Sequence, residues 1–194
     1  MGIMKVQAVL MAMAILFATT TLQAQNGSET VYETKGFFLN ASLLGASWTM
    51  DDLSFDDEYG GGFGLKLGYN FNNNFGLFTS LNAALMNPDE DEYVLAHFDI
   101  GLQGTLGAAT SRFRPFLNVA ASGMTAQDDE TEINGAGISI GGGTLIFLSR
   151  RMALDISYTH GLIELSEVKQ GSQTIDIDEN ATTMRVLFGL NWFF

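Results

Sequence analysis

Hydrophobic and polar residues alternate along most of the chain, and the pattern is clearest in the last stretch, Ala181 to Phe194. Counting back from Phe194, every second residue is large and apolar, and the residues between are mostly small or polar. The apolar set is Phe194, Trp192, Leu190, Phe188, Val186 and Met184. A period of two is typical of a β-strand whose two faces meet different environments. The segment is therefore predicted to be a strand with one strongly apolar face.

Seven earlier stretches alternate in the same way. In one of them, large apolar residues at Phe63, Leu65 and Leu67 face glycine and lysine on the other side. The eight predicted strands are Gly36 to Trp48, Gly60 to Phe71, Phe75 to Asn87, Val94 to Leu106, Phe113 to Met124, Gly135 to Leu148, Met152 to Leu165 and Ala181 to Phe194. Many short strands with 22 glycines and two prolines indicate an all-β protein.

The connections between these strands alternate between long and short. Most of the 22 acidic residues fall in four long connections, Asp51 to Glu58, Asp89 to Glu92, Asp128 to Glu132 and Glu164 to Glu179, and Ser166 to Asn180 is predicted to be the longest loop. The short turns are uncharged or basic. In an up-and-down antiparallel sheet, alternate connections lie at opposite ends. The pattern therefore predicts an eight-stranded antiparallel up-and-down barrel with one acidic, long-loop end.

The amino-terminal residues differ from the rest of the chain. One lysine, a short apolar run and a small residue at Ala24 form the pattern of a secretory signal peptide, residues 1–24. Residues 25–35 are predicted to be a short periplasmic segment, and residues 36–194 to be the barrel domain. The chain has no cysteine, and its net charge of −13 argues against a nucleic-acid partner.

Alternation alone does not say which face of the barrel points outward. A soluble, lipocalin-like carrier has apolar residues inside, whereas a membrane barrel has them outside. A soluble barrel needs a polar face rich in lysine and glutamate, but the polar face here is mostly glycine, serine, asparagine and threonine. Each strand is also long enough to cross a bilayer, which takes about 9 to 11 tilted residues. Together with the export signal, these features predict a transmembrane β-barrel in the outer membrane.

On these residues the chain resembles the small eight-stranded outer-membrane barrels of the OmpA-like and OmpX-like kind, often called porin family. The resemblance covers Gly36 to Phe194, and the closing strand is similar to the family's carboxy-terminal assembly signal, with Gly189, Trp192 and Phe194 at matching positions. Leu187 departs from that signal, because the family usually has a polar residue there. The resemblance implies recognition by the barrel-assembly machinery, contact with outer-membrane lipid and lipopolysaccharide, and a monomeric state. It also implies that the acidic loops face the exterior and that both termini face the periplasm.

Five charged residues share the position parity of the polar face and should point into the lumen: Lys66, Asp99, Arg114, Asp155 and Arg185. Buried charges are costly unless paired, so we expect them to form ion pairs. Counting from the short turns places Lys66, Asp99 and Arg185 near mid-height, with Arg114 and Asp155 below them. The two alternatives are a gate whose pairs rearrange and a satisfied polar core, and the core is favoured because an eight-stranded interior is filled by side chains.

The remaining candidate chemistry is sparse. Oxygen-rich loops can bind divalent cations weakly, and the best candidates are Asp51 and Asp52, Asp56 to Glu58, and Asp89 to Glu92, although they lack the spacing of a dedicated Ca²⁺ loop. No cofactor is predicted.

Catalysis is not expected, because Ser157 and His160 are an odd number of residues apart and should point to opposite faces of their strand. Tyr158, His160 and Trp192 are predicted to be interfacial aromatic residues, and Trp48 either joins them or caps the lumen. The predicted role is structural, surface-exposed or that of a very narrow pore. The alternative is an adhesin or ligand-binding barrel that acts through its long loops, and a lipid-modifying outer-membrane enzyme or a soluble lipocalin-like carrier is less favoured.

Overall fold

The computed structural model describes residues 30–50, 58–86, 92–128, 131–170 and 173–194. They form β1 (Gly36–Met50), β2 (Glu58–Asn70), β3 (Phe75–Met86), β4 (Tyr93–Thr105), β5 (Phe113–Gln127), β6 (Thr131–Ser149), β7 (Met152–Gln170) and β8 (Gln173–Phe193). Each strand pairs antiparallel with the next, and β8 pairs with β1 to close the barrel. The predicted eight-stranded up-and-down barrel is confirmed. The predicted signal peptide lies outside the described residues. Across the ranges given above, the chain has no helix of the length and hydropathy that a membrane span requires.

The two ends of the barrel differ, and we name them by their connections. The turn end carries the short turns β2–β3, β4–β5 and β6–β7, and the loop end carries the other hairpin connections. The last residues of the chain lie beside β1 at the turn end, where the Phe194 amide donates to the Phe37 carbonyl oxygen at 2.9 Å. Gly36 has a positive φ of 114°, and a Cβ there would stand 2.6 Å from the Phe194 carbonyl oxygen. A glycine is therefore required where the barrel closes.

Strands β6, β7 and β8 extend further than the sequence predicted. They contain 19, 19 and 21 residues, whereas β2, β3 and β4 contain 13, 12 and 13. The predicted loop from Ser166 to Asn180 is wrong for most of its length, because β7 continues to Gln170 and β8 begins at Gln173. Val168 pairs with Ile175 in this hairpin, and β-branched residues favour strands. We call residues 131–134, 166–170 and 173–180 the extension.

The outer face of the barrel is apolar over most of its height. Large hydrophobic side chains are exposed along every strand, for example Phe63 at 71%, Ile140 at 58% and Phe188 at 51%. Their positions are those that the alternation assigned to the apolar face. On the extension the outward residues become polar, with Glu132, Asn134 and Lys169 in place of aliphatic residues. The change in polarity marks the upper edge of the apolar belt on this side.

The interior is layered, which the sequence analysis did not predict. Following β1 from the turn end, the inward residues are Phe38, then Asn40 and Ser42, then Leu44. Strand β3 repeats the order with Phe78, Ser80, Asn82, Ala84 and Met86. Two apolar clusters therefore enclose a polar layer. The turn-end plug is Phe38, Phe78, Phe116, Ala120, Leu145, Phe147, Ala153 and Phe193, and the loop-end plug is Leu44, Ala46, Trp48, Ala84, Met86, Leu95, Met124, Ala126, Ile163, Leu165 and Ala181.

This layering has a simple physical cause. Eight strands enclose a space that side chains can fill, so the interior packs like a protein core. Many of the buried polar groups in the middle layer bond to one another or to a buried charge. The inner face is therefore mainly polar in the middle of the barrel and mainly apolar at both ends.

Candidate functional site

The centre of the polar layer is an ion pair between Asp99 on β4 and Arg185 on β8. The guanidinium donates to both carboxylate oxygens, at 2.8 Å and 3.1 Å, and the two residues are 4% and 1% exposed. Ser122 and Ser80 donate to the same carboxylate at 2.6 Å and 2.8 Å. A buried pair is tolerated when further hydrogen bonds satisfy the remaining lone pairs, and these serines meet that need. The pair joins strands that are distant in the sheet and fixes the middle of the barrel.

A second, looser pair lies between Lys66 on β2 and Asp155 on β7. The ammonium nitrogen is 3.9 Å from Asp155 Oδ2, which also accepts hydrogen bonds from the Asn40 and Asn191 side chains at 3.3 Å and 2.9 Å. Lys66 Nζ also lies 5.3 Å from the ring centre of Phe78, within the range of a cation–π contact. The lysine therefore links the polar layer to the turn-end plug.

Arg114 is separate from both pairs. Among the described residues it has no carboxylate partner, and it instead donates to the backbone oxygen of Asn73 and to Thr34 Oγ1, the latter at 3.4 Å. Thr34 is itself buried, and its backbone oxygen accepts from the Asn70 side chain at 2.7 Å. The expected ion pair of Arg114 is therefore not formed within the described residues. Counting residues from the short turns predicts how high in the barrel a charged side chain lies. It does not predict which strands that side chain faces across the lumen.

The segment before β1 helps to close the turn end. The Tyr32 amide donates to the Ala109 carbonyl oxygen at 2.8 Å, and its ring stacks on Phe147 with ring centres 4.7 Å apart. Thr34 holds the β2–β3 turn through Asn73. Tyr32 and Thr34, which belong to the predicted 25–35 segment, therefore pack against the barrel. Sequence reasoning missed this contact, because polar residues around one tyrosine carry no periodic signal.

At the loop end, three side chains from three strands close over the loop-end plug. Trp48 Nε1 donates to Glu58 Oε2 at 3.2 Å and to the Tyr93 hydroxyl, and that hydroxyl donates to the same carboxylate oxygen. Trp48 is buried and its ring meets the Tyr93 ring edge-on. Of the two positions considered for Trp48, the structure has the cap over the lumen. Tyr93 was not singled out from the sequence, and Glu58 was considered only as part of a possible cation site.

A charged cluster lies on the outer side of the extension. Lys169 Nζ is 3.0 Å from carboxylate oxygens of both Glu132 and Glu167, and the Asn134 amide donates to Glu132 at 2.6 Å. These hydrogen bonds, from Asn134 first and then from Lys169, lower the pKa of Glu132, and the bond to Glu132 raises the pKa of Lys169. The contacts join β6 and β7 beyond the apolar belt.

The residues of the predicted assembly signal lie on both faces of β8. Gly189 is buried opposite Ser42 of β1, and a Cβ on it would be 2.5 Å from the Ala41 carbonyl oxygen. Trp192 is half-buried and Phe194 is exposed at 68%.

The predicted interfacial residues Tyr158 and His160 belong to β7. Tyr158 is exposed on the outer face, and His160 pairs with Ile140 and Met184, which both face outward. Ser157 is buried on the inner face. The serine and the histidine therefore lie on opposite sides of the barrel wall, and this geometry does not bring them within hydrogen-bonding reach.

The predicted cation sites can be described only in part. Asp51, Asp52, Asp56, Asp57 and residues 89–91 lie outside the described residues. Within the described part of the chain, no group of three or more acidic or histidine side chains is arranged to hold a metal ion. Glu58, the described member of the first block, is engaged by Trp48 and Tyr93.

Several solved structures have a similar fold. The chain is 14% identical to Neisserial surface protein A with a TM-score of 0.61, and the match covers 82% of this chain and 98% of that one. It is 10% identical to the outer membrane protein OprG from Pseudomonas aeruginosa, with a TM-score of 0.56 and coverage of 85% and 98%. It is 16% identical to Ail, the attachment invasion locus protein of Yersinia pestis, with a TM-score of 0.52 and coverage of 81% and 99%. At these identities the likeness shows the fold.

No curated protein matches the chain significantly. The family model of the outer membrane protein β-barrel domain matches residues 10–194, almost the whole chain. The apolar outer face and the closed sheet agree with that match. The chain belongs to the outer membrane protein β-barrel domain family and is an integral protein of the outer membrane.

Proposed function

We propose that this barrel is a closed, non-enzymatic surface protein whose role depends on its loop end and on its rigid wall rather than on passage through the lumen. The observation that carries the proposal is the filled interior, in which two apolar plugs enclose the Asp99–Arg185 pair. The pair is bonded on both oxygens and supported by two serines, which favours a satisfied core over a gate.

The proposed orientation places the loop end outside the cell and both termini in the periplasm. The apolar belt then contacts outer-membrane lipid, and the extension reaches the level of lipopolysaccharide. Gly189, Trp192 and Phe194 present the closing strand to the barrel-assembly machinery. With its edges closed by β1–β8 pairing, the barrel needs no partner copy, so we propose a monomer.

Planar-bilayer recording of the reconstituted full chain tests the closed lumen. The wild-type protein and the Asp99→Ala variant should both fail to conduct, because the two plugs remain in place. Ser157→Ala, on the same inner face, serves as a control for reconstitution. Conductance in the wild type would support a narrow pore, and conductance only in Asp99→Ala would support a gate at the ion pair.

A second candidate is binding of a surface ligand by the loop end. It is favoured by the extension, which carries two strands well beyond the apolar belt. One similar structure is described as Ail in complex with a heparin analogue, sucrose octasulfate. The net charge of −13 in this chain disfavours such a polyanion. Shortening residues 166–180 should abolish ligand binding without changing permeability if this candidate is right.

Weak divalent-cation binding at the acidic loops is part of the same candidate. Calcium or magnesium could bridge loop carboxylates to lipid phosphates. Titration calorimetry with Ca²⁺ on the full chain in phosphate-free nanodiscs tests this, and an absence of binding heat in the millimolar range contradicts it.

A further inference from the structure

A cavity, which we call the mouth cavity, opens at the loop end next to the loop-end plug. Its volume is about 190 Å³. Its apolar walls come from β1, β4, β5 and β6 and include Trp48, Met50, Tyr93, Ala126 and Ile133. Trp48 and Ala126 belong to the loop-end plug and form part of the cavity wall.

The size of the cavity limits its occupant. A cavity of about 150 Å³ lined by apolar side chains is known to hold one benzene molecule. A single aromatic ring with a short side arm would therefore fill the space between Trp48, Met50 and Ile133. Longer lipids and peptides are too large to be enclosed.

The charge at the rim selects the sign of the ligand. Glu58 and Asp128 line the cavity, and none of its described lining residues is lysine or arginine. Trp48 and Tyr93 both bind Glu58 Oε2, and among the described residues none donates to Oε1. The two donors hold the carboxylate in place at the rim of the cavity. The net charge of −13 also raises the local concentration of cations.

We propose that this mouth cavity binds a small protonated aromatic amine. The ring lies among Trp48, Met50 and Ile133, and the ammonium group donates to Glu58 at the rim, with the indole face adding a cation–π contact. The proposal gives a ligand class to the loop-end binding candidate above. It requires the barrel fold, but it holds whether or not the lumen conducts.

The test is a binding titration on the full chain in nanodiscs. Binding is monitored by the fluorescence of Trp48 in a Trp192→Phe variant, in which Trp48 is the remaining tryptophan. The probes are phenethylamine, 2-phenylethanol and phenylacetate, which share a ring and differ in the charge of the side arm. Phenethylamine should bind at least about tenfold more tightly than phenylacetate, because a charge-assisted hydrogen bond is exchanged for repulsion. Empty nanodiscs give the contribution of partition into lipid.

Two pairs of variants separate the charge from the space. Glu58→Gln should weaken phenethylamine binding about tenfold and leave 2-phenylethanol binding unchanged. The control is Glu164→Gln, which replaces an exposed carboxylate on the outer face of β7 and should change the binding of neither probe. Ala126→Leu should fill the cavity and reduce binding of all three probes. Ala121→Leu, on the outer face of the same strand, is its control.

Circular dichroism of each variant identifies any that fails to fold. If Glu58→Gln fails, the Ala126→Leu pair alone decides the question. Equal affinity for the three probes overturns the proposal, as does binding that survives both Glu58→Gln and Ala126→Leu, or an absence of binding in the wild type. Conductance, measured separately, bears only on the closed lumen.

Discussion

The two ends of the lumen are closed in different ways. At the turn end, five phenylalanine rings and the segment around Tyr32 fill the space, and Arg114 ties that segment to the β2–β3 turn. At the loop end, mostly aliphatic side chains fill the lower part, and a cap of Trp48, Glu58 and Tyr93 leaves a cavity of about 190 Å³ beside it. The turn end thus resembles a finished core. The loop end retains space and a carboxylate at its rim, which are features of a binding site.

The largest effect should come from the polar layer that both ends share. Asp99→Ala leaves the buried Arg185 without its partner, and breaking a buried pair in this way costs about 3–5 kcal/mol. Unfolding of the reconstituted protein in denaturant measures the loss. The double variant Asp99→Leu/Arg185→Leu should recover much of it, because no charge then remains buried. Equal stability of Asp99→Ala and the wild type would contradict the description of the pair.

Enlarging one small residue at each end tests the difference in packing directly. Ala153 lies fully buried in the turn-end plug, whereas Ala126 lines the mouth cavity. Ala153→Leu should destabilise the barrel by about 1–3 kcal/mol through overpacking. Ala126→Leu should be neutral or stabilising, since the added atoms enter an existing space. The same unfolding assay compares them, and equal costs would remove the distinction between the ends.

A smaller effect is expected when the turn-end closure is released. Arg114→Leu removes hydrogen bonds to Thr34 and Asn73, and the loss is partly offset because the buried charge is removed with them. The barrel should stay folded while residues 31–35 become accessible to protease. Arg151→Gln is the control, because its ion pair with Glu33 is exposed and such pairs contribute about 0–1 kcal/mol. Protection that persists in Arg114→Leu would show that the remaining contacts of Tyr32 and Thr34 hold the segment without Arg114.

The smallest effect concerns pH and the extension. The pKa of Glu132 is lowered in the folded protein, so its contribution is present above the ordinary glutamate pKa and is lost as pH falls through the lowered value. Backbone NMR shifts of Glu132 and Lys169 should therefore change together in mildly acidic to acidic solution, while those of the apolar belt stay constant. Glu132→Gln should remove the transition, and a transition that persists in this variant would assign it to another group.

The alternation of side chains predicted much of the fold. Strand number, order and the outward position of residues such as Phe63 and Ile140 follow from a period of two and from the length of the connections. The hairpin beyond Ser166 was missed because its outward residues are polar or charged and its inward residues are apolar, so the pattern of the two faces reverses above the apolar belt. The bulge at residues 165–167 also shifts the phase of the pattern there.

The candidate site was less accessible to sequence reasoning. The alternation of faces along β4 and β8 predicted that Asp99 and Arg185 point into the lumen. Their pairing depends on how the strands are staggered around the barrel, which the alternation does not show. The turn-end plug does have a signal in the sequence, because phenylalanines recur at inward positions near the turn end. They are Phe38, Phe78, Phe116, Phe147 and Phe193. The Trp48–Glu58–Tyr93 cap unites residues up to 45 positions apart and has no local pattern.

The central claim is that the apolar face meets lipid and that the inner face is sealed. Because the chain has no native cysteine, single cysteines from residue 77 to residue 85 on β3 can each carry a nitroxide label in liposomes. Odd positions such as Leu77 and Leu81 should collide with lipid-dissolved oxygen, and even positions such as Phe78 and Ser80 should be reached neither by oxygen nor by a water-soluble relaxation agent. Access of the water-soluble agent to the even positions would show an open lumen, and its access to the odd positions would show that the faces are reversed.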